Sequence, residues 1–159
     1  MVNNWKTPIK NWKLVEVIDS IEIMEQTSDE FISSVLKKND LPPKYNEIMN
    51  RSESFADWSL LNGYYKFFYD YEGKEEIIKR QFSKSAFAKS QHLFITYLQD
   101  DLVIQVPTRL FIEDWEGFAR SMIHNGIIVN EELNLVAEVT RDYYLHSNFE
   151  IMPESLVHD

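Results

Sequence analysis

The chain contains no cysteine. That excludes disulfide frameworks, cysteine-ligated zinc, iron–sulfur clusters and thiol nucleophiles together, and it suits a reducing compartment. Glycine is scarce, with only Gly63, Gly73, Gly117 and Gly126. No two stand close enough to let a backbone wrap a pyrophosphate, so Walker-type and dinucleotide-binding loops are excluded in their usual forms, as is the Gly-x-Ser-x-Gly elbow of many hydrolases. The longest uninterrupted apolar run is three residues, as at Phe67-Phe68-Tyr69 and Leu102-Val103-Ile104, whereas a membrane span needs about 20. The opening Met1-Val2-Asn3-Asn4-Trp5-Lys6 lacks the apolar stretch of a signal peptide. The expectation is a soluble, cytoplasmic protein.

What the chain does have is aromatic mass: 10 Phe, 8 Tyr and 4 Trp in 159 residues. This payload is the opposite of the composition that marks disorder, and a chain of this length buries roughly 70% of its unfolded surface without a covalent staple. No repeat, low-complexity tract or linker divides it, so a single globular domain over 1–159 is expected.

Local signals give the elements. Trp12 to Ile18 carries β-branched residues in partial alternation and predicts a strand. Thr27-Ser28-Asp29-Glu30 has capping-box spacing, Phe31, Ile32, Val35 and Leu36 recur at helical spacing, and Pro42-Pro43 stops continuation, which predicts a helix over residues 28–38. Further helix is expected between Lys44 and Trp58. Asn62-Gly63 suits a type I′ turn before an aromatic strand, Tyr64 to Tyr71, and Lys74 to Lys89 favours helix. His92–Gln99 and Leu102–Val106 read as a hairpin turning at Asp100-Asp101, with Pro107 as its end. Asp114 caps a helix carrying Trp115, Phe118, Ala119 and Met122, stopped at Asn125-Gly126. Alternation at Leu133, Leu135, Ala137 and Val139, and a segment from Tyr143 to Ile151, supply the last strands. The sum is an α+β domain: an antiparallel sheet of five to six strands with three to four helices packed against it.

Charge is the global feature that speaks to function. Of a formal net charge of -10, -9 lies from residue 100 onward, where twelve acids face only Arg109, Arg120 and Arg141. The stretch from Ile77 to Gln99 is the reverse, with Lys79, Arg80, Lys84 and Lys89 and no acid. A single-sign surface steers an oppositely charged partner and repels nucleic acid. The candidate partner-binding residues are Asp100, Asp101, Glu113, Asp114, Glu116, Glu131, Glu132, Glu138, Asp142 and Glu150. Phe82 and Phe87 interleave the basic stretch as stacking platforms would, but helical spacing places Phe82 more simply in a core.

No His-x-His or His-Glu-x-x-His occurs among His92, His124, His146 and His158. Glu138, Asp142 and His146 form the best acid–base or metal candidate, since Glu138 and His146 can meet across a hairpin. No catalytic residue, metal or cofactor is assigned. The leading expectation is a non-enzymatic binding protein for a basic protein partner, with no nucleic acid and no membrane. Its size and acidity have the character of immunity proteins that neutralise a basic toxin or nuclease, without any shared motif. The alternatives are a small hydrolase or metal-assisted enzyme using Glu138, Asp142 and His146, and a structural or oligomerisation module.

Overall fold

Among the described residues, α-helices and strands follow one another in the order α1 (Trp12–Glu16), β1 (Glu22–Ile23), α2 (Ser28–Lys38), β2 (Tyr65–Phe68), α3 (Glu75–Lys84), β3 (His92–Tyr97), β4 (Leu102–Pro107), α4 (Thr108–Glu113), α5 (Trp115–Ser121), β5 (Gly126–Asn130), β6 (Val136–Val139) and β7 (Tyr144–Ser147). The computed structural model describes residues 9–44, 54–70, 73–122 and 125–153. The strands form one sheet in the order β1-β4-β3-β5-β6-β7-β2, and every neighbouring pair is antiparallel. The domain is therefore α+β, with seven strands among the described residues where five to six are expected and five α-helices where three to four are.

Both faces of the sheet are covered. On one, Leu93, Ile95, Ile104, Ile128 and Val139 meet Leu14 of α1, Ile78 and Phe82 of α3, Phe111 of α4 and Phe118 of α5. On the other, Val103, Ile127, Val129 and Val136 meet Phe31, Ile32, Val35 and Leu36 of α2 together with Phe55 and Trp58. Central strands clothed on both sides need apolar residues at consecutive positions, and every residue of β5 is buried. Gly126 begins β5 because a Cβ there would stand 2.5 Å from the Met122 sulfur and 2.8 Å from the Thr96 carbonyl oxygen.

The local signals succeed where a short-range device fixes the backbone. Thr27 and Glu30 form the predicted capping box, and α2 spans the predicted residues. Asp114 caps α5 by accepting from the Gly117 amide. The β3–β4 hairpin forms, but Tyr97 pairs with Leu102, so four residues turn the chain rather than Asp100-Asp101 alone. Asp101, at φ 53, supplies the left-handed residue of that turn. Gly63 takes φ 111, but Asn62 does not share the positive φ that a type I′ turn needs at both central residues, so that expected turn does not form, and β2 pairs with β7 and not with a strand preceding it.

Three expectations need correction. Trp12 to Ile18 is not a strand: Asn11 accepts hydrogen bonds from the Lys13 and Leu14 amides and starts α1, which gives way to a single 3-10 turn at Ile18–Ser20. The helix expected over 74–89 breaks at Ser85 into α3 and a 3-10 turn at Ala86–Lys89. Strand β5 lies where no element is expected. The helix expected between Lys44 and Trp58 falls mostly outside the described residues.

Candidate functional site

The two edges of the sheet carry the chemistry. Near the β2 edge, Ile127, Glu138, His146 and Lys66 are successive cross-strand partners on β5, β6, β7 and β2. A polar row thus emerges from an apolar face, with Glu138 at its buried end, only 1% exposed.

Both Glu138 oxygens are committed. They accept from the Ser54 hydroxyl at 2.5 Å, the Phe55 amide at 2.6 Å, the Trp58 indole N–H at 2.8 Å and, more weakly, the Ala56 amide at 3.5 Å. Burial pushes the Glu138 carboxyl above its ordinary range, and the four donors pull it partly back. A carboxylate so employed fastens the 54–58 segment to the sheet. It does not reach toward a ligand.

His146 forms a three-ring cluster with Trp58 and Tyr64, each pair of ring centroids 5.9 Å apart. Burial first, and the nearby Lys66 and Lys44 cations against an opposing Asp142, lower its pKa to about 4. The ring is neutral at physiological pH, and its buried Nδ1 has no hydrogen-bond partner among the described residues.

Beside His146 opens a cleft of about 580 Å³ lined by Lys44, Ser54, Lys66, Thr140, Arg141 and Asp142. Lys66 holds its ammonium 4.2 Å from the Tyr144 ring centroid. The β6–β7 turn that brings Thr140, Arg141 and Asp142 to the cleft closes with Tyr143 at φ 68, a strained conformation for an aromatic residue. The sequence constellation is thus brought together only in part. Glu138 and His146 are cross-strand partners, but Glu138 is spent on the 54–58 segment while Asp142 and His146 line the cleft. Among the described residues no group of three or more His, Asp or Glu is placed to hold a metal ion.

The ten candidate acids do not share one surface. The register puts Asp100, Asp101 and Asp142 at the end of the sheet where β3 turns into β4, and Glu131, Glu132 and Glu150 at the opposite end. Several have internal work. Asp101 accepts from the Ser28 amide and hydroxyl, Glu113 pairs with Lys79 at 3.1 Å, Glu116 pairs with Arg120 at 2.9 Å, and Glu131 accepts from the Gln91 and His92 amides. Glu138 belongs to no surface, and its place among the partner-binding residues is corrected by its burial.

The acidic concentration that the fold does build lies along the β1 edge, and it recruits residues passed over in sequence. From Leu14 to Leu36 there are six acids, Glu16, Asp19, Glu22, Glu25, Asp29 and Glu30, and no Lys or Arg. All six are exposed. β1 runs along β4 toward the β3–β4 turn, and the Ser28–Asp101 bonds join α2 to that turn. Asp100 is tied in through Asn11, and Asp114 through Lys13.

Helix α1 stands in this margin with its polarity inverted. Lys13 is 3% exposed while Trp12 is 56% and Val15 52% exposed. The Lys13 ammonium pairs with Asp114 and with Glu16 at 2.7 Å, and lies 4.9 Å from the Phe118 ring centroid. Burial alone would lower its pKa, but the two carboxylates outweigh burial and raise it. An element that hides a lysine and shows a tryptophan to water sets local preference aside, and such conflicts concentrate at functional sites. No helix among the described residues is long and apolar enough to cross a membrane. No family model, curated protein or solved structure matches the chain.

Proposed function

We propose that the protein acts by stoichiometric binding of a basic protein surface, which docks on the β1 margin with Trp12 and Val15 as its apolar anchors and the surrounding carboxylates as its rim. The observation that carries this reading is the inverted helix α1. Binding energy at protein interfaces concentrates in a few large side chains, Trp foremost, ringed by polar groups. Here an exposed Trp12 stands one helical turn from Glu16, with Asp19 exposed in the 3-10 turn that follows, and the helix is held in that orientation by the buried Lys13 pair. The carboxylates steer a cationic partner into encounter, and the anchors slow its departure. An inhibitor of a basic toxin or nuclease fits this chemistry, since its target's cationic groove is what an acidic rim would cover.

Affinity capture from the native host tests the reading, with the unmodified chain, Trp12→Ala and the double variant Glu16→Lys/Asp19→Lys as baits and elution over a salt gradient. A basic polypeptide retained by the unmodified chain, released as salt rises and lost by both variants is the expected result. A retained set unchanged by either variant would overturn the reading.

The enzyme alternative draws less from the geometry, because the carboxylate it needs at Glu138 is saturated by four donors from the 54–58 segment.

A further inference from the structure

We propose that Asn62 is a self-modification site, converted in the folded chain to isoaspartate and aspartate through a succinimide formed with Gly63. The new bond joins the Gly63 amide nitrogen to the Asn62 Cγ, the Cγ–Nδ2 bond breaks, and the Gly63 amide proton leaves with the side-chain nitrogen as ammonia. Water then opens the ring. Addition at the side-chain carbonyl gives aspartate, and addition at the main-chain carbonyl gives isoaspartate, whose backbone runs through the former side chain. The sequence holds two Asn-Gly pairs, Asn62-Gly63 and Asn125-Gly126, and in each the attacking amide belongs to a residue with no Cβ to hinder ring closure. The fold treats them in opposite ways.

Asn62 and Gly63 lie between two anchored pieces. Upstream, the Leu61 amide donates to the Trp58 carbonyl, and downstream, pairing with β7 begins at Tyr65. Both residues of the pair are exposed, and neither has a hydrogen bond among the described residues. A Cβ at Gly63 would meet nothing within 4 Å, so the space beside the attacking amide is open. Asn125 is the reverse case. It is wholly buried, its Oδ1 accepts from the Arg141 amide at 2.9 Å, and Gly126 is the buried first residue of β5. Turning that side chain toward the Gly126 nitrogen would orphan a backbone amide, and the water that opens the ring is kept out. Conversion at Asn62 adds one negative charge to a chain of -10. Isoaspartate also lengthens the main chain by one carbon between the 3-10 turn Trp58–Leu60 and β2, on the link that joins Trp58 to Tyr64 in their ring cluster with His146.

Incubation of the full folded chain at mildly alkaline pH tests the proposal, with peptide mapping by fragmentation that tells isoaspartate from aspartate and an unincubated control. Residues 52–66 form a tryptic peptide in which Asn62 is the one asparagine. Isoaspartate and aspartate should accumulate there, isoaspartate in the larger share, at a rate that grows with hydroxide concentration. Asn125 should convert at least about tenfold more slowly, because its reaction waits for local opening of the fold. In a chain unfolded by guanidinium the two sites should converge in rate. Asn62→Gln, at an exposed position, should leave the mass of peptide 52–66 unchanged over the same period, since its longer side chain closes a less favoured six-membered ring. An Asn62 that stays intact while the unfolded chain converts, equal rates at Asn62 and Asn125 in the folded chain, or aspartate formed without isoaspartate overturns the proposal.

Discussion

The two edges of the sheet solve opposite electrostatic problems with the same means. At the β1 edge a buried cation, Lys13, is neutralised by Asp114 and Glu16, and what faces water is a tryptophan among acids. At the β2 edge a buried carboxyl, Glu138, is satisfied by neutral donors from the 54–58 segment, and what faces the cleft is a set of cations around a neutral histidine. In each case the buried ionisable group holds a short segment against the core, and the surface beside that segment carries groups of the opposite chemistry. Charge in this molecule is organised across the sheet, from edge to edge.

The largest effect should come from breaking the β2 side at its root. Glu138→Ala leaves the Phe55 and Ala56 amides and the Trp58 indole without their acceptor, and the Ser54 hydroxyl with only the Ala56 carbonyl. Orphaning such a set costs about 3–5 kcal/mol, or roughly 10 °C in thermal midpoint for a domain of this size. Calorimetric unfolding measures this.

Breaking the β1 side should cost somewhat less. Lys13→Ala removes the cation between Glu16 and Asp114, but both carboxylates keep about half of their side-chain surface in water and Asp114 retains its cap on α5. A loss of about 2–3 kcal/mol is expected, measured by urea titration. Capture of a basic partner should be lost together with it, since α1 is no longer held.

The β2 side should also respond to pH, through two groups of opposite sign. The His146 pKa is lowered to about 4 from 6.5, so the unfolded chain binds more protons between those values. Its contribution to stability is complete above pH 6.5 and is lost as pH falls toward 4, amounting to about 2 kcal/mol once allowance is made for the part of the ring that stays in solvent. Glu138, raised above 4.5, works with the opposite sign: its contribution falls as pH rises from 4.5. Urea midpoints of the parent and His146→Phe over pH 4–7 should show the rising limb disappear in the variant. The smallest effect belongs to Arg120→Ala. It removes pairs with Asp70 and Glu116 at a half-exposed position, and chemical denaturation should register no more than about 1 kcal/mol.

How much of this was legible in sequence depended on the range of the interaction that decided it. Thr27 and Glu30 fix α2 through neighbours three residues apart, and the β3–β4 hairpin follows from two adjacent β-favouring runs. Both were readable. Strand β5 was not, because burial on both faces removes the alternation by which a strand is recognised and Asn125-Gly126 imitates a stop. Helix α1 misled because the Trp12–Ile18 pattern resembles a strand, and nothing local says that Lys13 will find Asp114 across the fold. The cross-strand meeting of Glu138 and His146 was foreseeable from hairpin geometry, whereas the capture of Glu138 by residues 54–58 was not, being a contact across more than 80 positions. The charge was summed over too long a segment. A window from Leu14 to Leu36 reveals the acidic margin directly.

The central claim is that an exposed indole stands in a negative field at the β1 edge, and fluorescence quenching tests it most directly. Trp58 and Trp115 are each 3% exposed and shielded from ions. In a Trp5→Phe variant, Trp12 therefore supplies the indole emission that ionic quenchers can reach. Measured against free tryptophanamide and at low salt, caesium should quench this emission more efficiently and iodide less efficiently, with the gap closing as sodium chloride is added. Equal relative quenching by both ions, or an emission that neither ion reaches, would contradict the account.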